Sequence, residues 1–237
     1  MPTGSVLLKN EKNINSKGYV TAPAKGVYPG ILLLHQEYGL DAAVRATAEN
    51  LAAHGHIVFV PNLFWRKMNA CELNSNNRDD KIMSKKLINE YNFDDGFSDI
   101  TACLKWLRET PQCNGLTATI GTGFSANLSY MAGNWLDIEA SVCYGLNSLA
   151  FKKKSNDVIR RPMLIHMGEL FSNEGKINND MLENLKNTLN IHYYSYAECE
   201  NDFSRIGDIA YNEKASNEAN SRTFTHLKNS FKKPYNT

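Results

Sequence analysis

The sequence is short of several things, and each shortage excludes something. It has no excess of charge of either sign: 26 Lys and Arg residues stand against 25 Asp and Glu residues, a net charge of +1 over 237 residues. Such a chain lacks the broad electrostatic pull that draws proteins to nucleic acid or acidic membranes, so neither is expected as a partner. It has no long apolar run. Gly30 to Leu34 (GILLL) falls well below the roughly 20 residues needed to span a bilayer. The opening segment, MPTGSVLLKNEKN, lacks the basic, apolar and small-residue blocks of a signal peptide, so a cytoplasmic location is expected. The five cysteines (Cys71, Cys103, Cys113, Cys143 and Cys199) are odd in number and widely spaced, with no C-x-x-C pair. That argues against a zinc knuckle or a disulfide framework and leaves reduced thiols. No internal repeat or long linker divides the chain, which reads as a single domain over residues 1–237.

What is present is alternation. Gly30 to His35 is a short, wholly apolar strand of the kind found where both sheet faces are covered. Asp41 to His54 follows as an amphipathic helix with Val44, Ala48, Leu51 and Ala52 on one face, Asp41 as its cap and Gly55 as its stop. His56 to Val60 is a strand ended by Pro61, and Phe93 to Thr110 is a long helix opened by Asp94 and Asp95. Strands at Leu116 to Gly121, Glu139 to Tyr144, Pro162 to Met167 and Ile191 to Ala197 alternate with helices at Ser125 to Gly133, Met181 to Leu189 and Ala210 to Lys232. Two polar stretches, Asn69 to Asp80 and Phe151 to Asp157, read as surface loops. The pattern predicts an α/β fold with a mostly parallel, twisted sheet and helices on both faces. In such folds the chemistry sits at the carboxyl ends of the strands.

Two strand ends draw notice. Ile120-Gly121-Thr122-Gly123-Phe124-Ser125-Ala126-Asn127 runs from a strand through a glycine-rich turn into a helix, the setting of a nucleophile elbow. With Ser125 as the nucleophile, Gly123 is the small residue required two positions before it. Asn127, two positions after, is larger than the pattern asks. A plain helix cap is the alternative role for Ser125. The other strand end is Leu34-His35-Gln36-Glu37-Tyr38-Gly39-Leu40. His35 and Glu37 are two apart and share a strand face.

These two segments, with Pro61-Asn62-Leu63-Phe64 and His166-Met167-Gly168, occur in an order and spacing that resembles the dienelactone hydrolase family of α/β-hydrolases. The resemblance covers about residues 17 to 232. It implies an α/β-hydrolase fold, a hydrolase of small carboxylic esters or lactones, and no cofactor or metal. It also implies that Glu37 lies beside the nucleophile, that Ser125 is the nucleophile, and that the amides of Tyr38 and Ala126 form the oxyanion hole. Arg205 matches the family's carboxylate-binding arginine, a task suited to its forked donors. The family's triad acid falls at Phe171 and its histidine at Asn201, so neither is present in kind. Of the six histidines, His35 is the nearest to a substitute base. A serine without a base in reach is a poor nucleophile. The expectation is therefore a weak or inactive hydrolase, or a degenerate relative that binds a small carboxylate or a protein partner.

Overall fold

Runs of buried β-branched and leucine side chains fix the central strands, and polar segments are added around them. The computed structural model describes residues 3–9, 15–147, 161–170 and 179–232. Its backbone divides into two compact units, Met1–Thr117 and Ala118–Thr237.

In the first unit β3 (Tyr28–Leu34) and β4 (Ile57–Pro61) pair in parallel. Ile31 to Leu34 and Ile57 to Val60 are buried throughout, as strands covered on both faces must be. Two strands that the sequence reading left out, β1 (Gly4–Lys9) and β2 (Asn15–Thr21), form an antiparallel pair that continues onto β4. Helix α1 (Ala42–Ala53) buries the expected face of Val44, Ala48, Leu51 and Ala52. Asp41 caps it by accepting the Val44 N–H at 2.9 Å. Gly55, at φ +86°, ends it in a conformation that costs glycine little. The stretch Asn69 to Asp80 is not wholly loop. Asn77 accepts the N–H groups of Asp79 and Asp80 and starts α2 (Arg78–Asn89). Its buried residues are only Ser84 and Leu87, so it carries almost no apolar periodicity. Helix α3 (Phe93–Glu109) matches the expected span, with Asn92 as its cap.

The second unit is parallel throughout. The strand β5 (Cys113–Thr122), which begins before the division, pairs with β6 (Ala140–Tyr144). That strand pairs with β7 (Met163–Gly168), and β7 with β8 (Ile191–Tyr196). Met163, Ile165 and Met167 lie on one face of β7 among Ala126 of α4 (Ala126–Trp135) and Leu185 of α5 (Asn179–Asn187). The alternate face meets α6 (Glu213–Ser230), which is shorter than the expected Ala210 to Lys232 because Asn212 caps it by accepting the Ala215 N–H. The segment Phe151 to Asp157 lies outside the described residues.

Buried imidazoles brace both units. His35 is fully buried and uses both nitrogens. Nδ1 donates to the Gln36 carbonyl at 2.6 Å and Nε2 accepts the Leu63 N–H at 2.9 Å, tying the end of β3 to the segment after β4. In the second unit His166 stands in a one-way chain of hydrogen bonds. Arg222 donates to the Tyr196 oxygen at 3.0 Å, and Tyr196 gives its own hydrogen to His166 Nδ1 at 2.8 Å. Nε2 then donates to Thr223 at 3.0 Å, Thr223 to Tyr144 at 2.7 Å, and Tyr144 to Asn220 Oδ1 at 3.3 Å. The direction follows from Tyr144, whose single hydrogen goes to Asn220 Oδ1, so Thr223 must donate to Tyr144 and accept from His166. Four of the five thiols are buried too. Burial pushes Cys71 and Cys143 up to about 12.

Burial lowers the pKa of His35 to about 4, of His166 to about 3 and of His226 to about 4. In the unfolded chain these groups titrate near the ordinary ~6.5. The unfolded state therefore takes up protons first as the pH falls, and stability that is intact above about 6.5 is lost toward 4. Each imidazole should cost about 1 kcal/mol per pH unit in that window. Urea unfolding at pH 7.5 and pH 5 should show a clear drop in midpoint at the lower pH. An unchanged midpoint would contradict the buried, neutral assignment.

Candidate active site

At the carboxyl end of β3 the chain turns sharply. Gly39 donates to the Gln36 carbonyl at 3.3 Å and has φ +78°, and a Cβ there would meet the Cys71 carbonyl oxygen at 2.2 Å. Glycine is the residue that such a turn against another backbone demands. The turn is clamped from outside: Leu40 donates to the Cys71 carbonyl at 2.8 Å and Leu73 to the Tyr38 carbonyl at 2.9 Å. Arg45 holds the Leu40 carbonyl at 2.9 Å and pairs with Glu72. Glu37 is half-buried and Tyr38 buried on this fixed turn. His35, just behind them, has both ring nitrogens engaged with main chain, as described above, so its role is to brace.

The other half of the expected machinery lies in the second unit, after β5. The turn Gly123–Ser125 is one turn of 3-10 helix leading into α4. An elbow nucleophile needs a strained backbone, and the sequence reading puts that strain at Ser125. The structure puts the positive φ two residues earlier: Gly123 has φ +58°, while Ser125 is ordinary helical backbone at φ −79°, ψ −10°. The small-residue requirement also falls two residues earlier. A Cβ on Gly121 would stand 2.4 Å from the Ser125 carbonyl oxygen and 2.9 Å from the Ala126 Cα. The Ser125 hydroxyl turns back on its own loop, donating to the Thr122 carbonyl and accepting the Thr122 N–H, both at 3.0 Å. The Ala126 amide, expected in the oxyanion hole, donates to the Gly123 carbonyl.

Asn201, expected at the family's histidine position, also has a structural bond. Its Oδ1 accepts the Gly168 N–H at 3.1 Å at the end of β7, and its Cβ lies 2.9 Å from where a Cβ on Gly145 (φ +72°) would stand. Asn127 exchanges two bonds with Asn147. Its Nδ2 donates to the Asn147 side chain at 2.6 Å, and its Oδ1 accepts the Asn147 N–H at 3.3 Å.

Residues 16–231 match the family model of the dienelactone hydrolase family. The chain belongs to the dienelactone hydrolase family. A carboxymethylenebutenolidase from Pseudomonas sp. strain P51 is 23% identical over 236 residues, covering 94% of this chain and 96% of that protein. Among solved structures, a dienelactone hydrolase-like promiscuous phosphotriesterase from metagenomic libraries superposes with a TM-score of 0.71 at 14% identity, covering 96% of this chain and 98% of the other. The dienelactone hydrolase of Anabaena variabilis gives 0.66 at 12% identity, with the same coverage of 96% and 98%. The fold is thus the α/β-hydrolase fold, with a mostly parallel sheet.

Within that family frame, Arg205 is buried, with Nε 3.6 Å from Asp208. Burial and the Asp208 charge raise the Asp202 carboxyl, with Arg205 pulling it down. The arginine expected to receive a carboxylate is therefore already placed among the protein's own. Phe171, expected at the triad acid position, lies outside the described residues. The positive φ falls at Gly123, two residues before the expected Ser125. The signal was there: G-T-G-F-S at 121–125 offers small residues on both sides of Gly123, whereas centring on Ser125 requires excusing Asn127.

Three substitutions test this geometry by unfolding. Gly121→Ala should cost more than about 2 kcal/mol, because the neighbouring atoms are backbone and have nowhere to go. Gly123→Ala should cost about 1 kcal/mol for its left-handed φ. Ser125→Ala should cost about 1 kcal/mol for its lost turn bonds.

Proposed function

We propose that this chain is a dienelactone hydrolase family member that keeps the fold but not the nucleophilic route to ester and lactone hydrolysis, and that it acts as a binder of small carboxylate-class molecules. The observation that carries the reading is the backbone at Gly123. The positive φ and the close approach to Gly121 are those of an elbow apex, and the residue at that apex has no side chain. An apex nucleophile attacks through an oxygen or sulfur on its Cβ, and glycine offers neither. Ser125 then stands two residues past the apex, where the pattern asks for a small residue.

The remaining chemistry agrees. Attack by the Ser125 hydroxyl would require it to leave both Thr122 bonds and hand a proton to a base. Asn201 cannot take a proton, and its oxygen is occupied by Gly168. Loss of a nucleophile or its base removes on the order of 10⁴ to 10⁶ in rate from serine hydrolases. The binding role is what the family position of Arg205 suggests.

The test is direct. A fluorophosphonate probe followed by intact-mass measurement should leave the wild-type chain unlabelled, and p-nitrophenyl acetate turnover should equal that of Ser125→Ala. A stoichiometric adduct that disappears in Ser125→Ala, or turnover more than about tenfold above that variant, would overturn the reading. Binding is followed by the melting temperature with maleate: a rise is expected, and it should shrink in Arg205→Lys.

A further inference from the structure

A cavity of about 430 Å³ opens in the second unit at the amino ends of β7 and β8, beneath the carboxyl half of α6. Gly168 and Asn201 mark the opposite, carboxyl ends of these strands. Open α/β sheets usually take ligands at the carboxyl ends, so this cavity belongs to no part of the machinery discussed so far. Its volume is within the range of roughly 300–1,000 Å³ found for small-molecule sites.

The walls have a particular chemistry. Arg222, His192, His226 and Tyr194 line the cavity with Asn190 and Asn229, and no Asp or Glu is among its described lining residues. Arg222 is held before any ligand arrives. Its guanidinium lies 4.0 Å from the centre of the Tyr194 ring, Nη1 donates to Tyr196 at 3.0 Å, and Nη2 pairs with Glu218. Those bonds leave further N–H groups of the fork. His226 faces His192 across 6.0 Å between ring centres. Among the described residues, His226 Nε2 is buried with no hydrogen-bond partner. Such an atom is costly, and native proteins rarely carry one without a water, ion or ligand to meet it.

A metal ion is the obvious guest for two imidazoles, but the fixed guanidinium beside them repels cations. No cluster of three or more metal-ligating side chains occurs among the described residues. Arg222 and His192 suit the opposite charge. An oxyanion can take two N–H bonds from a guanidinium, and the His192 imidazole supplies a third. His226, neutral and donating its one hydrogen to the Pro162 carbonyl, offers Nε2 as an acceptor for a hydroxyl of the same molecule.

We propose that this cavity binds a small molecule through an oxyanion, a carboxylate or a phosphate, held by Arg222 and flanked by His192 and His226. The inference does not depend on the elbow and stands whether or not Ser125 is reactive.

Titration calorimetry of the full chain with citrate and with inorganic phosphate tests it, with Zn²⁺ in parallel. One of the two anions is expected to bind, and which one does identifies the group recognised. Arg222→Gln should weaken that binding about tenfold or more. His192→Ala, at an exposed position, should weaken it several-fold without changing the melting temperature of the unliganded chain. The binding that is weakened in Arg222→Gln should persist in Arg205→Lys, which separates this site from the carboxylate site proposed above. The proposal is overturned if neither anion binds, if Zn²⁺ alone binds, or if the anion binds the His192→Ala and Arg222→Gln chains as it binds the wild type. If Arg222→Gln does not fold, His192→Ala decides.

Discussion

Gly121 and the backbone of Ser125 and Ala126 press together with no room for a single methyl between them, and the start of the second unit is arranged around that contact. A strand can hand over to a helix this abruptly only if the residue before the bend has no Cβ and the residue at the bend accepts a positive φ. Gly121 meets the first condition and Gly123 the second. Everything downstream inherits the placement. Helix α4 begins at Ala126, buries nearly its whole length, and lies so close to β6 that a Cβ on Gly133 would touch Ser141 at 2.3 Å. Ser129, one turn in, bonds Thr119 of β5 at 2.9 Å and the Val142 carbonyl of β6 at 2.9 Å, fixing the helix's rotation.

The positions where departures from the family's chemistry are expected share one character. Ser125, Asn127 and Asn201 each spend their polar atoms on nearby protein groups, with bonds to Thr122, Asn147 and Gly168. A catalytic group must hold its donors and acceptors open for substrate, which usually costs stability. Here those atoms are satisfied internally, and the strain that an elbow imposes on a side-chain-bearing residue is relieved by glycine. Such a site gains rigidity from its internal bonds. The same logic reads the buried His35 as a brace, since an imidazole with both nitrogens committed has none left to exchange a proton with substrate.

Much of the fold was legible from the sequence because its central elements obey strong rules. The buried strands β3 and β4, the face of α1 and the span of α3 were marked by apolar runs, caps and a stop at glycine or proline. The elements missed had no such marks. β1 and β2 are antiparallel additions with only short apolar stretches, and most residues of α2 are exposed. The candidate site was legible in place but not in register. Two glycines at a spacing of two gave two frames for the same turn, and only backbone angles distinguish them. The cavity under α6 could not be read at all. It joins His192 and Tyr194 on a strand to Arg222 and His226 on a helix beyond it in the chain, and no local pattern announces that meeting.

The buried thiols have a use that their chemistry hides. Cys71, Cys103, Cys143 and Cys199 are sealed in the folded chain, and burial pushes each of their pKa values up. Alkylating reagents attack the thiolate, so these sulfurs respond only when the structure around them opens. Cys71 sits where the Gly39 turn is clamped, and Cys143 lies inside β6 beside the elbow strand. The rate at which each is modified therefore measures how often its own region breathes, giving the molecule a set of built-in clocks for local opening.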